Sequence, residues 1–283
     1  MEPSTSPRVA FVLAGGASLG AIQVGMLRAL YERGVRPDFV VGTSAGALNG
    51  AFIASRPQTL ATADELGEIW RGLRRGQIFP TRPLIGLLGF LGTRDHLVPS
   101  SGLRRLVERH MQAELLEDLP IPLHVVAADA MTGEELRLSR GPVLDAVLAS
   151  ASIPAVLPAV EWEGRMLIDG GVVNNTPISH AVELGATDVY VLPTGHSCTL
   201  ESVPRGALSM ALHAIALLMH RRLIDDIKLH EASANLIVLP PPCPLSVAPI
   251  DFSHADLLIR QALADARELL DSRDRPGRLR EAA

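Results

Sequence analysis

Lysine is nearly missing from this chain. Lys228 is the only one, and the rest of the basic charge is arginine, a bias that carries no mechanism of its own. The formal net charge is −5, and no basic block is long enough to track a phosphate backbone, which argues against nucleic acid as a partner. Cysteine occurs twice, as Cys198 and Cys243. Two cysteines make no disulfide framework, and neither has a metal-ligand neighbour at close spacing. The opening "MEPSTSPR" lacks the apolar region and cleavage site of a signal sequence. Long apolar runs are lacking too. The greasiest helical candidate, residues 207–219, includes His213 and falls short of the ~20 residues that cross a bilayer. These absences set the expectation of a soluble, reduced, cytoplasmic protein. Peripheral membrane contact leaves little trace in a sequence and stays open.

Of the 283 residues, 47% are hydrophobic and 20% charged, enough apolar material for a substantial core. No repeat stands out and no linker splits the chain, so a single domain over residues 1–283 is expected. Its charged tail at 272–283, "SRDRPGRLREAA", is expected to fray. "RVAFVLAGG" reads as a buried strand ended by glycines, and "GAIQVGMLRALYERG" as a helix closing on Gly34. "DFVVGT" and "SAGALNGAFIAS" repeat that strand–helix order, which indicates an α/β protein with a parallel sheet. Further strands are expected at "PLHVVAADA", "EELRLS", "MLIDG", "DVYVLPT" and "NLIVLP". Further helices are expected near residues 60–73, 101–110, 143–150, 178–184, 206–230 and 254–270. The greasy "RPLIGLLGFLG", residues 82–92, reads as a core helix or buried loop, with an apolar lid or lipid-docking surface as the alternative.

"GTSAG" is a G-x-S-x-G pattern between a strand and a helix, the context in which that short motif gains meaning. Gly42 and Gly46 leave room for a sharp turn that would lift the Ser44 hydroxyl to the carboxyl end of the sheet. The helix N-terminus beyond it offers free N–H groups and partial positive charge. The competing reading makes Ser44 only an N-cap. The earlier loop "GGASLG", Gly15 to Gly20, lacks the spacing of a dinucleotide fingerprint and the Gly-Lys-Ser/Thr of a Walker loop. Its backbone N–H groups suit an oxyanion hole; alternatively its glycines merely let strand and helix turn closely.

A serine nucleophile needs a proton acceptor. None of the nine histidines stands in a diagnostic setting. Asp169, in "MLIDGGVVNNTPI", follows an apolar run and precedes two glycines, so it should stand at a strand end. It is either the base or a turn aspartate that caps backbone N–H groups. Asp95, His96 and Asp129 read as structural. No loop has EF-hand spacing, so calcium is not implied.

Together, "GGASLG", "GTSAG" and "DGG" resemble the three motifs of the patatin-like phospholipase family: a glycine-rich oxyanion loop, G-x-S-x-G and D-G-G/A. "GAIQVGMLRALYERGVRPDFVVGTSAGALNGAF", "AADAMTGEELRLS", "ASASIPAVLPAV" and "DFSHADLLIRQALADAREL" carry the likeness over roughly residues 8–270. The resemblance implies a three-layer α/β/α fold with a mainly parallel sheet. It implies Ser44 as nucleophile and Asp169 as base of a dyad without histidine. The N–H groups of Gly15, Gly16 and Ala17 would form the oxyanion hole, and Gly42 and Gly46 the nucleophile elbow. No metal or cofactor is implied. The implied activity is a serine-dependent acyl hydrolase acting on lipids or other acyl esters through an acyl-enzyme. An acyltransferase or a non-catalytic lipid-binding protein is the alternative. Two positions depart from the family's common G-G-G-x-R-G: Ala17 replaces the third glycine and Leu19 the arginine. Alanine tolerates positive φ poorly, so the loop should not require it at residue 17.

Overall fold

The structure, a computed structural model, describes residues 7–80, 96–195, 207–243 and 247–274. The segment 82–92 and Asp95 lie outside these residues. Eight strands form one sheet: β1 (Val9–Leu13), β2 (Phe39–Thr43), β3 (Leu123–Asp129), β4 (Glu135–Leu138), β5 (Val160–Trp162), β6 (Arg165–Asp169), β7 (Asp188–Leu192) and β8 (Asn235–Val238). Nine helices accompany them among the described residues: α1 (Ala21–Glu32), α2 (Ala45–Ala54), α3 (Leu60–Gly72), α4 (Arg75–Ile78), α5 (Ser101–His110), α6 (Val143–Ser150), α7 (Ile178–Glu183), α8 (Ala207–His230) and α9 (Ala255–Asp274). The expected elements are present within a few residues. The last helix runs to Asp274, into the segment read as a fraying tail. Strand β5 and the short α4 were not foreseen.

Strands β8, β7, β1, β2 and β3 lie side by side in parallel. The apolar runs of β1, β2 and β3 are buried on both faces, as a parallel sheet between helices requires. In β1, Phe11 and Leu13 join one core with α1, α2, α3, α5, α6 and α9, while Ala10 and Val12 join a second with α7 and α8. The three-layer α/β/α arrangement follows directly from that alternation.

The register of β3 decides where the site forms. Along one edge β4 pairs antiparallel with Val125 to Ala128. Along the other, β2 pairs up to Thr43–Val126 and β6 takes over at Asp169–Ala127, running the opposite way. The carboxyl ends of β2 and β6 therefore meet head-on against the same strand. A two-residue turn, Glu163–Gly164, joins β6 to β5, and both turn residues have positive φ, 50° and 79°. That is the twist a tight hairpin prefers.

No helix among the described residues is long and apolar enough to cross a membrane. Cys243 is disulfide-bonded. The expectation of reduced thiols is corrected on this point.

Candidate active site

Ser44 sits on the turn between β2 and α2 with φ 54° and ψ −119°. A non-glycine residue held there costs about 1–3 kcal/mol and persists only where its surroundings enforce it. The enforcement is steric. A Cβ on Gly46 would lie 2.0 Å from the Leu13 carbonyl oxygen, and one on Gly42 2.6 Å from the Gly46 oxygen. The end of β1, the elbow and the first turn of α2 are packed backbone to backbone, so both flanking positions must be glycine. Ser44 stands where an N-cap would, but its side chain makes no capping hydrogen bond. Its Oγ donates instead to Asp169 Oδ2 at 2.6 Å.

Asp169 ends β6, and its other oxygen, Oδ1, accepts from the Gly171 N–H at 2.7 Å. The two readings of this aspartate thus hold together: one oxygen caps the 3-10 turn Gly170–Val172, and the other faces Ser44. Ser44 is 6% exposed and Asp169 7%, so neither group is freely solvated. Burial pushes the Asp169 carboxyl up to about 6, against the hydrogen bonds from Ser44 and Gly171, which pull it down. Among the described residues no histidine hydrogen-bonds either group. His124, edge-on to Phe39, is pushed down to about 4, chiefly by burial. Asp129 is structural: its Oδ1 accepts from the N–H groups of Met131 and Thr132.

The glycine loop passes close beside the elbow. A Cβ on Gly15 would lie 3.1 Å from Ser44 Cβ and 2.5 Å from Asn175 Oδ1, and one on Gly16 2.2 Å from Thr194 Oγ1. The Gly15 peptide is held on both sides. Its N–H donates to the Asn175 carbonyl at 3.0 Å, and its oxygen accepts from the Thr194 hydroxyl. The Gly15 N–H is therefore engaged. Gly16 and Ala17 donate to no acceptor among the described residues. Ala17 has φ 50°, which corrects the expectation for this residue: the loop does take the left-handed conformation there, with an alanine. Leu19 points into the main hydrophobic core.

Behind the loop lies a buried chain of amides. Trp70 Nε1 donates to Asn49 Oδ1 at 2.9 Å, and Asn49 Nδ2 donates to Gln23 Oε1 at 2.8 Å and to the Gly20 oxygen at 2.9 Å. Gln23 Nε2 donates in turn to the carbonyls of Ala14 and Leu192. Every amide atom is used, which fixes both flips and holds the peptide leading into Gly15. Nothing in the pattern of a single sequence separates Asn49 and Gln23 from ordinary helix residues.

A pocket is lined by Ala17, Ser44 and Ala45 together with residues of α2, α3 and α5. Its wall is almost wholly apolar and includes Leu48, Phe52, Trp70, Leu106, Met111 and Phe252. His110 also lines it, and burial, followed by the nearby Arg109 and Arg56, lowers its pKa, which favours the uncharged ring. Among the described residues no three His, Cys, Asp or Glu side chains converge to hold a metal.

A sequence profile described as "Patatin-like phospholipase" matches residues 11–182. An uncharacterised NTE family protein of Mycobacterium tuberculosis is 32% identical over 183 residues, covering 62% of this chain and 46% of its own length. Patatin-like phospholipase domain-containing protein 7 of Mus musculus is 32% identical over 197 residues, covering 68% of this chain and 14% of its own length. The chain thus spans less than half the length of these curated relatives. VipD from Legionella pneumophila, a solved structure, is 16% identical with a TM-score of 0.49, covering 94% of this chain and 67% of its own. The profile covers more than half of the chain, and its span contains the glycine loop, the serine elbow and the D-G-G turn: the chain belongs to the patatin-like phospholipase family.

Proposed function

We propose that the protein hydrolyses carboxylic esters of lipids, as a phospholipase A, lysophospholipase or carboxylesterase, with Ser44 as nucleophile and Asp169 as base. The observation that carries this reading is the 2.6 Å hydrogen bond between Ser44 Oγ and Asp169 Oδ2, with Ser44 lining an apolar pocket. An aqueous carboxylate, near pKa 3.9, is a weak base for a serine hydroxyl. Burial brings Asp169 to about 6, closer to the pH at which a general base works best.

Ser44 Oγ attacks the ester carbonyl carbon as its proton passes to Asp169 Oδ2. The carbonyl oxygen becomes an oxyanion, and its candidate donors are the Gly16 and Ala17 N–H groups, which bond no acceptor among the described residues. A single donor of this kind contributes about 3–4 kcal/mol. Collapse of the tetrahedral adduct breaks the bond to the alcohol, which leaves with the proton from Asp169. Water then attacks the acyl-enzyme, gives a proton to Asp169, and the acid departs as Ser44 Oγ is reprotonated. The apolar pocket suits the acyl chain, whose burial contributes roughly 0.8 kcal/mol per methylene.

The test is reaction with a fluorophosphonate probe beside hydrolysis of a medium-chain nitrophenyl ester and a phospholipid. The expected result is labelling and turnover in the wild type, and neither in Ser44→Ala with an unchanged thermal melt. Undiminished turnover in a folded Ser44→Ala protein removes Ser44 from the mechanism.

A further inference from the structure

We propose that Ser150 is a positioning residue for the nucleophile, acting by accepting the Ser44 backbone N–H; this rests on the hydrolase reading above. Ser44 follows the last residue of β2 and precedes the first residue of α2, so its N–H falls between the strand ladder and the helix, and neither element supplies its acceptor. A buried N–H left unpaired is costly and rare. The acceptor is Ser150 Oγ, at 2.8 Å. Ser150 is the last residue of α6 and is fully buried. Its own proton goes to the carbonyl oxygen of Val126, the residue that faces Thr43 across β2 and β3. One hydroxyl therefore ties the elbow to the central sheet.

The same short stretch also holds the base. The carbonyl of Ser152 accepts the Asp169 N–H at 3.0 Å, and the Ser152 hydroxyl is anchored on the Leu148 carbonyl at 2.7 Å. Residues 150–152 thus grip Ser44 through a side chain and Asp169 through the main chain. This one turn of backbone therefore braces both groups, beside the β3 ladder that sets their spacing. Ala151, between them, lines the apolar pocket.

A residue that only filled space would affect stability and substrate binding. A residue that holds the nucleophile in place should affect the chemical step, where small misplacements cost up to about a hundredfold. The experiment compares wild type, Ser150→Ala and Ser150→Cys for kcat and KM on a soluble short-chain ester, for the rate of fluorophosphonate labelling, and for the melting temperature. For Ser150→Ala the expected result is a fall in kcat and in labelling rate, in step, by about ten- to a hundredfold, with KM essentially unchanged. Cysteine keeps the shape and offers a weak acceptor, so Ser150→Cys should recover part of both rates. Wild-type rates in a folded Ser150→Ala protein overturn the proposal, as does a loss confined to KM or a cysteine variant no faster than alanine. Should Ser150→Ala fail to fold, Ser150→Cys decides: a reduced labelling rate at unchanged KM supports the role, and a wild-type rate overturns it. A wild-type protein that takes no label and turns over no ester overturns the hydrolase reading itself, a result distinct from any of these.

Discussion

Thr43 and Asp169 occupy adjacent rungs on the same edge of β3, Thr43 opposite Val126 and Asp169 opposite Ala127. The gap between Ser44 and Asp169 is therefore set by a β-ladder, with little freedom to adjust. A longer carboxylate cannot be accommodated by moving the backbone. Asp169→Glu should keep a carboxylate in the site yet lose turnover by about a hundredfold, the cost of roughly 1 Å of misplacement. Measurement of kcat on a soluble ester, with a thermal melt as control, tests this; near-native kcat would mean that the strand end yields.

The pH dependence follows from the raised carboxyl of Asp169. In the proposed mechanism Asp169 must be ionised to accept the proton, so activity should climb with pH through a midpoint near 6 and be lost below it. A kcat profile with its acid limb near 4 would contradict the buried-base geometry.

The same shift carries a stability consequence. A carboxyl raised from its ordinary 3.8 to about 6 favours the folded state at low pH, and that contribution fades as pH rises through 6. The difference is about 3 kcal/mol at full ionisation. Asp169→Asn removes the charge, so it should be inactive yet melt higher than wild type at pH 8, with the advantage gone by pH 4. Melting curves at both pH values decide, and a variant less stable at pH 8 would show that the lost hydrogen bonding outweighs the charge.

Ala17 holds a conformation that costs an L-residue about 1–2 kcal/mol, partly offset in any comparison by the extra chain entropy of glycine. Ala17→Gly should therefore raise the melting temperature by roughly 2 °C and leave the loop in place. A lower melting temperature would show that the alanine methyl packs more favourably than its backbone is strained.

Leu19 belongs to the core, so restoring the arginine common in the family should bury an unpaired charge. Leu19→Arg should lower the melting temperature by several degrees without a gain in turnover. Unchanged stability with faster hydrolysis would mean that the guanidinium reaches the oxyanion.

Leu106 lines the pocket from α5, whereas Ser44 lines it from the turn before α2. An indole there that displaces about three methylenes of a bound chain, at ~0.8 kcal/mol each, should cut kcat/KM for long acyl esters by roughly fiftyfold. Acetyl esters should be little affected by Leu106→Trp. Equal losses on both would place the acyl chain elsewhere.

Much of this was legible in the sequence because the strongest signals coincide with the strongest constraints. The central strands are continuous apolar runs, and the two glycines around Ser44 are required by contacts of 2.0 and 2.6 Å to backbone atoms. Asp169 could be placed at a strand end from the apolar run before it. Strand β5 escaped because "VEW" is short, lies at the sheet edge and shows no run of buried residues. Ser150 escaped for another reason: a serine at a helix end looks alike whether its hydroxyl meets its own helix or a nucleophile 106 residues away. The positive φ at Ala17 was missed because the steric preference of an L-residue argues against it.

The β-ladder that joins the two reacting groups also sets when they can meet. Ser44 and Asp169 are 125 residues apart in the chain, and contacts of such long separation form late because loop closure must come first. The elbow of β2 and α2 is local and can form early, but its serine has no base until β6 pairs with the end of β3. By the proposed mechanism a partly folded chain should therefore be chemically silent. Recovery of ester hydrolysis during refolding should mark the closing of the sheet, after helix content has already returned.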